Sequence, residues 1–254
     1  MSKVSQVFKI MLLSCLLAGC TCLKDVDTSI TNENDPLEPM NRAVFSFNDT
    51  MDTYLMRPIA DGYRWLVPKF IRNSVSNVFE TLSQPAHFAN ALLQGQFKDA
   101  GSVLGRTGVN LTFGLLGLFD VASEMGIPDP QNDFGQTLAK WGWENGGPFV
   151  MLPLLGPSNV RDTIGMGVDA TADVYYWRFK HEKAMVYGEY AVDGLQTREK
   201  MLDLMDNMKS SSTDYYAAMR TMYRQNRQKK INQVLPQNPE AEQAYDFDFE
   251  IEEE

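Results

Sequence analysis

The chain has 254 residues, 44 % of them apolar, and a formal net charge of −10 from 33 acids against 23 Lys and Arg. Such a balance excludes a basic field for nucleic acid, and the length is ample for one domain resting on a hydrophobic core.

Lys3 and Lys9 form a short basic segment ahead of Ile10 to Ala18, nine residues that are mostly apolar. Nine residues are too few to cross a hydrocarbon core of about 30 Å. The run closes on Leu17-Ala18-Gly19-Cys20, small residues before a cysteine, which is the pattern of a lipoprotein signal. Residues 1–19 are therefore expected to be removed and Cys20 to carry lipid. Thr21, where Asp would signal retention by analogy with enteric sorting, points to the outer membrane. Two or three acyl chains, at about 0.8 kcal/mol per buried methylene, would hold the protein there. Export implies an oxidising compartment, but with Cys15 removed and Cys20 acylated only Cys22 is left, and no internal disulfide is available. Loss of Lys3 and Lys9 leaves −12, and eight acids with no base lie between Pro236 and Glu254, so residues 20–235 carry only about −4.

Residues 20–34 read as a lipidated polar tether, 35–231 as a helical domain, and 232–254 as an acidic disordered tail. Asp35-Pro36-Leu37-Glu38 has the form of a capping box, and Met40, Val44, Phe47, Met51 and Tyr54 step four and three residues apart, which is helix spacing. Pro58, Pro68 and Pro85 each sit where a new helix could start, so 58–95 divides into short helices. Phe97 to Thr112 is another. Val109 to Phe119 is apolar nearly all round, with Gly114 and Gly117; it suits either a buried core helix or a segment lying within one leaflet. Gly146 to Ser158 has three prolines among large apolar residues, which predicts an apolar loop, buried or in contact with lipid. Ser158 is the expected cap of a helix reaching about Trp177. Glu182 to Lys209 and Thr213 to Ile231 read as long amphipathic helices, with Met201, Leu204, Met205 and Met208 on one face of the first and Tyr215, Met219, Met222 and Tyr223 on one face of the second. Arg220, Arg224, Arg227, Lys229 and Lys230 read as a solvated helix end. In the tail, acids alternate with Tyr245, Phe247 and Phe249, a pattern able to dock a partner. The fold class is all-α.

Catalytic motifs find no foothold. Asp133-Phe134-Gly135 matches a kinase tripeptide without its companions, and His87 lacks a partner in sequence, so replacing Asp133 or His87 is expected to leave the protein's activity nearly intact. Gly165-Met166-Gly167-Val168-Asp169-Ala170 falls inside a helix rather than at a strand-to-helix turn. Gly101 and Gly105 form a GxxxG helix-packing pattern. Two histidines, His87 and His181, and one free cysteine are too few for a metal site. No cofactor is implied.

Several ordered motifs resemble the MlaA/VacJ family of lipoproteins. They are Asn34-Asp35-Pro36-Leu37-Glu38, Asn41-Arg42, Phe47-Asn48, Arg57-Pro58-Ile59-Ala60, Val67-Pro68, Arg72-Asn73, Leu92-Leu93-Gln94-Gly95 and Asn110-Leu111-Thr112. Further along come Phe134-Gly135-Gln136-Thr137-Leu138, Gly147-Pro148, Leu152 through Ser158, and Arg161-Asp162. The likeness covers roughly residues 20–210 and departs from the family pattern at Ala139 and in the acidic tail. It implies a helical ring of in-plane amphipathic helices in the outer membrane, often beside a trimeric porin. Such a protein removes phospholipid from the outer leaflet through an amphipathic channel. A soluble periplasmic carrier feeding an inner-membrane ABC transporter would receive the lipid.

On that view Asn41, Asn48, Arg72 and Asn73 are candidates for a polar headgroup path, although capping and packing between helices is an equal role for each. Leu115, Leu116 and Leu118 are candidates for acyl contact. Two rival classes are a tethered periplasmic hydrolase, which needs a nucleophile with a base, and a structural adaptor that uses the same helices for protein contacts.

Overall fold

The computed structural model describes residues 35–172 and 181–235. The expectations for the signal segment, Cys20, Cys22, the tether, the helix end at Trp177 and the tail beyond Leu235 lie outside these residues. Over the described residues the protein is all-α, with one small hairpin as the exception.

The Met40–Met51 stripe forms helix α1, Glu38–Met51. No side chain caps it: Leu37 stands at the cap position, and Asp35, expected to cap, turns inward instead. A π-turn, Asp52–Met56, joins α1 directly to α2, Arg57–Leu66. Pro58 follows that turn. In α geometry its ring would press on the carbonyl of Tyr54, and the wider π backbone supplies the room. Pro58 thus stands in the first turn of α2, as its sequence position suggests, within a helical run that continues from α1.

Helix α3, Lys69–Leu93, begins after Pro68 as expected but continues through Pro85. An internal proline costs about 3 kcal/mol. Burial of Thr81, Gln84, Asn90 and Ala91 on both sides of it holds the helix together. Gly95, with φ 71°, ends α3: Gln96 N donates to Ala91 O at 2.9 Å and Gly95 N to Leu92 O at 3.0 Å. This Schellman turn sends the chain back as α4, Phe97–Thr112, packed along α3. No heavy atom outside their own helix lies within 4 Å of a Cβ built on Gly101 or Gly105, so the GxxxG pattern makes no close helix contact.

After a loop and a short helix α5, Val121–Glu124, comes α6, Phe134–Lys140. The anticipated apolar loop is instead an antiparallel hairpin, β1 Phe149–Leu152 and β2 Gly156–Asn159, with Met151 opposite Pro157. A two-stranded sheet consists of edges, which is where proline is tolerated. Helix α7, Val160–Ala172, follows; Asn159, not Ser158, caps it, accepting from Asp162 N at 2.8 Å.

The segment expected as one helix from Glu182 to Lys209 breaks at Met201 into α8, Lys183–Lys200, and α9, Leu202–Ser211. Asp214 caps α10, Tyr215–Val234, accepting from Ala217 N. That helix buries Ile231 and Val234, so the helical body runs past residue 231. Helix α10 returns to the start of the chain, where Tyr216 joins Phe149 and Met151 in a buried cluster flanked by Val44, Phe45 and Tyr223.

Candidate functional site

Two asparagines on α1 hold the hairpin. Asn41 donates to Phe149 O at 3.1 Å and accepts from Met151 N at 2.9 Å. Seven residues on, Asn48 donates to Leu152 O at 2.9 Å and accepts from Leu154 N at 2.8 Å. Seven residues span two helical turns, about 10.5 Å, and return to nearly the same face. Three residues of strand span about 10 Å, so the second amide meets groups three residues further on, Leu152 at the end of β1 and Leu154 in the turn beyond it. Asn41 is fully buried and also donates to Asp35 Oδ1 at 2.7 Å. Each amide atom of the pair bonds to protein, and Asn41 has no surface to offer a ligand.

Arg72 is mostly buried on α3, with Nη1 3.0 Å from Glu199 Oε1 on α8, and Asn73 beside it is exposed. The structure does not bring them to Asn41 and Asn48, which are occupied at the hairpin.

The apolar segment after Val109 is neither a core helix nor a helix throughout. Helix α4 stops at Thr112, and the following turn exposes Phe113, Leu115 and Leu116 at 73, 61 and 76 %, with Leu118 and Phe119 also exposed. Leu115 and Leu116 have φ of 51° and 61°. Left-handed geometry costs a branched residue roughly 1–2 kcal/mol each. Gly117, φ 88°, packs so closely on Thr81 that a Cβ would lie 2.5 Å from its Oγ1, and a Cβ on Gly114 would lie 2.2 Å from Phe119 O. These glycines fix a tight turn that points leucines outward.

Asp120 anchors that turn. Its carboxylate accepts from both Nη2–Oδ1 and Nη2–Oδ2 contacts of Arg106 at 3.0 Å and from Asn110 Nδ2 at 3.0 Å. Asn110 in turn accepts from Ala122 N at 2.9 Å. Burial pushes the Asp120 carboxyl up, but hydrogen bonds from Ser123 and Asn110 and the charge of Arg106 outweigh it and hold it below the usual range. Arg106 is itself buried and also reaches Asp129 at 3.1 Å. A rigid ionic base therefore carries an apolar, solvent-facing crown.

The residues set aside as motif matches have structural work. Asp133 caps α6 in a full capping box with Gln136. His87 Nδ1 lies 2.8 Å from Asn132 O, and Ser83 Oγ lies 3.3 Å from its Nε2. Gly165 backs onto Gly135, where a Cβ would meet its backbone N at 2.5 Å, so it is a helix contact.

Sequence reasoning missed the basic residues of α10. Arg220, read as solvated, is buried and pairs with Asp35 at 2.9 Å; Arg227 pairs with both Asp133 and Asp162. Their seven-residue spacing on an otherwise weakly apolar helix was the available signal. Among the described residues no cluster of His, Cys, Asp and Glu is arranged to hold a metal, and no helix is long and apolar enough to cross a membrane.

The family model described as MlaA lipoprotein matches residues 33–230. The chain is 33 % identical over 247 residues to the intermembrane phospholipid transport system lipoprotein MlaA of Escherichia coli K12, spanning 92 % of this chain and 95 % of that protein. It is 32 % identical over 235 residues to the protein of the same name from Haemophilus influenzae, spanning 91 and 92 %. A solved structure, described as the structural basis for maintenance of bacterial outer membrane lipid asymmetry, superposes with a TM-score of 0.67 at 33 % identity, over 78 % of this chain and 99 % of that one.

Proposed function

Because the chain belongs to the MlaA lipoprotein family, we propose that it removes mislocalised phospholipid from the outer leaflet of the outer membrane and passes it inward through an amphipathic channel. Anchored through Cys20, it hands the lipid to a soluble periplasmic carrier that feeds an inner-membrane ABC transporter. A trimeric porin is the proposed neighbour in the membrane.

The observation that carries this reading is the Phe113–Phe119 turn. Strained leucines held outward on an ionic base lose stability in water and gain it in lipid, where each buried apolar side chain is worth about 1.5–3 kcal/mol. A helix 16 residues long, α4, ends in this crown without itself being able to span a bilayer. Arg72, Asn73 and the half-buried Asn48 are the polar side chains offered for the headgroup path on this reading.

Transport on this reading breaks no bond. A channel lowers a barrier without shifting an equilibrium, so net direction comes from the receiving carrier and the energy source behind it. Purified protein in liposomes should pass intact labelled phospholipid to an added carrier with neither metal nor nucleotide at that step. Stoichiometric release of fatty acid, lysophospholipid or free headgroup would replace this reading with a hydrolase.

A further inference from the structure

The N-terminal helical run and the C-terminal arm meet along a line of charges. Arg198 Nη2 donates to Asp52 Oδ2 at 2.8 Å, Arg57 Nη2 to Asp206 Oδ2 at 2.7 Å, and Lys209 Nζ to Asp49 Oδ1 at 2.6 Å. Arg64 forks to Glu199 and Asp203, each at 2.9 Å, and Arg72 approaches Glu199 from the other side. Each pair takes one partner from residues 49–72 and the other from 198–209.

The buried apolar side chains on the helices of this junction are few: Ala60 on α2, Val186 on α8 and Leu202 on α9. The buried side chains described on α8 are Val186, Gln196, Arg198 and Glu199, three of them polar. The hydrophobic cluster of Phe149, Met151 and Tyr216 lies instead where α10 meets α1 and β1. The N-terminal helices therefore meet the C-terminal arm at two places: one combines the aromatic cluster with the Arg42–Asp214 and Arg220–Asp35 pairs, and the other is made mainly of ions partly open to water. The second depends more on charge and is the more readily weakened by salt, because screening acts on exposed and half-exposed charges.

The π-turn sits at the middle of the ionic joint. Arg57 N donates to Asp52 O, closing the turn. In a regular α-helix residues five apart point about 140° away from each other. The wider turn swings Asp52 and Arg57 toward one side, so that both reach the arm, Asp52 to Arg198 and Arg57 to Asp206. Single π-turns inside α-helices recur at functional positions.

We propose that α8 and α9 form a charge-held latch on α1 and α2, which opens sideways to let a lipid leave or enter between the helices. The mechanical part stands on these contacts alone; its use by lipid rests on the transport reading above.

The test uses the lipidated full chain in vesicles with Cys22→Ser. Spin labels at Asp61 on α2 and Asn207 on α9 report the latch, and labels at Ala89 on α3 and Lys98 on α4, helices packed along each other, serve as the control. Raising salt from about 0.05 to about 1 M shortens the screening length from roughly 14 to 3 Å. A second, longer distance should appear at the latch and grow several-fold, while the control pair stays fixed. Arg57→Asp alone should produce the long distance at low salt, and the swap Arg57→Asp with Asp206→Arg should remove it. An unmoved latch distance, or equal movement of the control pair, overturns the latch itself. For its use, Arg57→Cys and Asp206→Cys bridged by a short bis-maleimide should cut lipid delivery to the carrier at least ten-fold, since an arginine–aspartate contact is too long for a direct disulfide. Delivery unchanged by the bridge, with an unbridged double variant active, overturns the lateral route but not lipid transport.

Discussion

Arg227 on α10 donates from both Nη atoms to the carboxylate of Asp133, at 2.6 and 2.7 Å, while its Nε lies 2.7 Å from Asp162 Oδ2. One guanidinium thereby ties the cap of α6 to the first turn of α7. Burial pushes the Asp133 carboxyl up, yet the Arg227 bonds prevail and hold it below the usual carboxylate range. Arg227→Met would leave Asp133 without its cation, while Asp162 keeps Arg161 at 2.9 Å, and removing one partner of a buried pair costs about 3–5 kcal/mol. Asp133→Ala loses the cap and one pair, and should cost about 2–3 kcal/mol. Its replacement thus costs stability, which is separate from the activity expected to survive it. Thermal unfolding of the purified variants checks the order, with Arg227→Met the less stable.

Asn41→Ala strands Phe149 O and Met151 N and takes one donor from Asp35, whose Oδ2 keeps Arg220. Leaving buried polar groups unpaired costs about 1–3 kcal/mol each. The variant should fall in abundance and melting temperature, with Asn48→Ala milder because that site is only half-buried. Normal protein level with lost lipid transport would place both residues on the headgroup path.

Leu115→Gly and Leu116→Gly each relieve a left-handed residue and should stabilise the detergent-solubilised protein by up to about 1 kcal/mol. In membranes each removes an apolar contact, so the same variants should weaken insertion of the turn. Single cysteines at Leu115, Leu116 and Leu118 provide the readout. They should resist water-phase probes in bilayers and react in detergent with the fold intact; equal reactivity in both would argue against lipid contact.

Acid should loosen the structure at two known points. Asp120 and Asp133 have folded pKa values depressed below their unfolded values of about 4. Their contribution is fully present above that value and is lost as pH falls through the lower folded pKa. Stability measured from pH 6 down should decline below about pH 4, and Asp120→Asn with Asp133→Asn should flatten that limb.

Cys20→Ala should leave the chain unprocessed or unanchored, since no helix among the described residues can span a bilayer in its place. Fractionation decides it: a mature-sized variant that stays in outer-membrane pellets after a high-salt wash would contradict lipid anchoring.

Helix periodicity located Phe97–Thr112 to the residue, because propensity, an apolar face and a glycine stop agree there. It misjudged Pro85, since whether a proline ends a helix depends on what packs around it, which spacing does not encode. The hairpin was hidden for a related reason: its strands are four residues each, and their missing partner is a pair of side-chain amides more than 100 residues away. Charges were the least legible. Arg220 and Arg224 look alike in sequence, yet one is buried against Asp35 and the other is exposed. The exposed leucines of the Phe113–Phe119 turn were read correctly as unusual, but their left-handed backbone follows from Gly114 and Gly117 packing that only the folded chain reveals.

Helix α10 is the last described helix to be synthesised, and it carries cationic partners of three acids: Arg220 for Asp35, and Arg227 for Asp133 and Asp162. A product cut short before residue 220 would leave Asp35 and Asp133 without these partners, while Asp162 keeps Arg161 at 2.9 Å. Buried charge left unpaired opposes closure, so such a fragment should be cut faster than the complete chain in limited proteolysis. The C-terminal helix therefore makes a firmly closed fold conditional on finished synthesis.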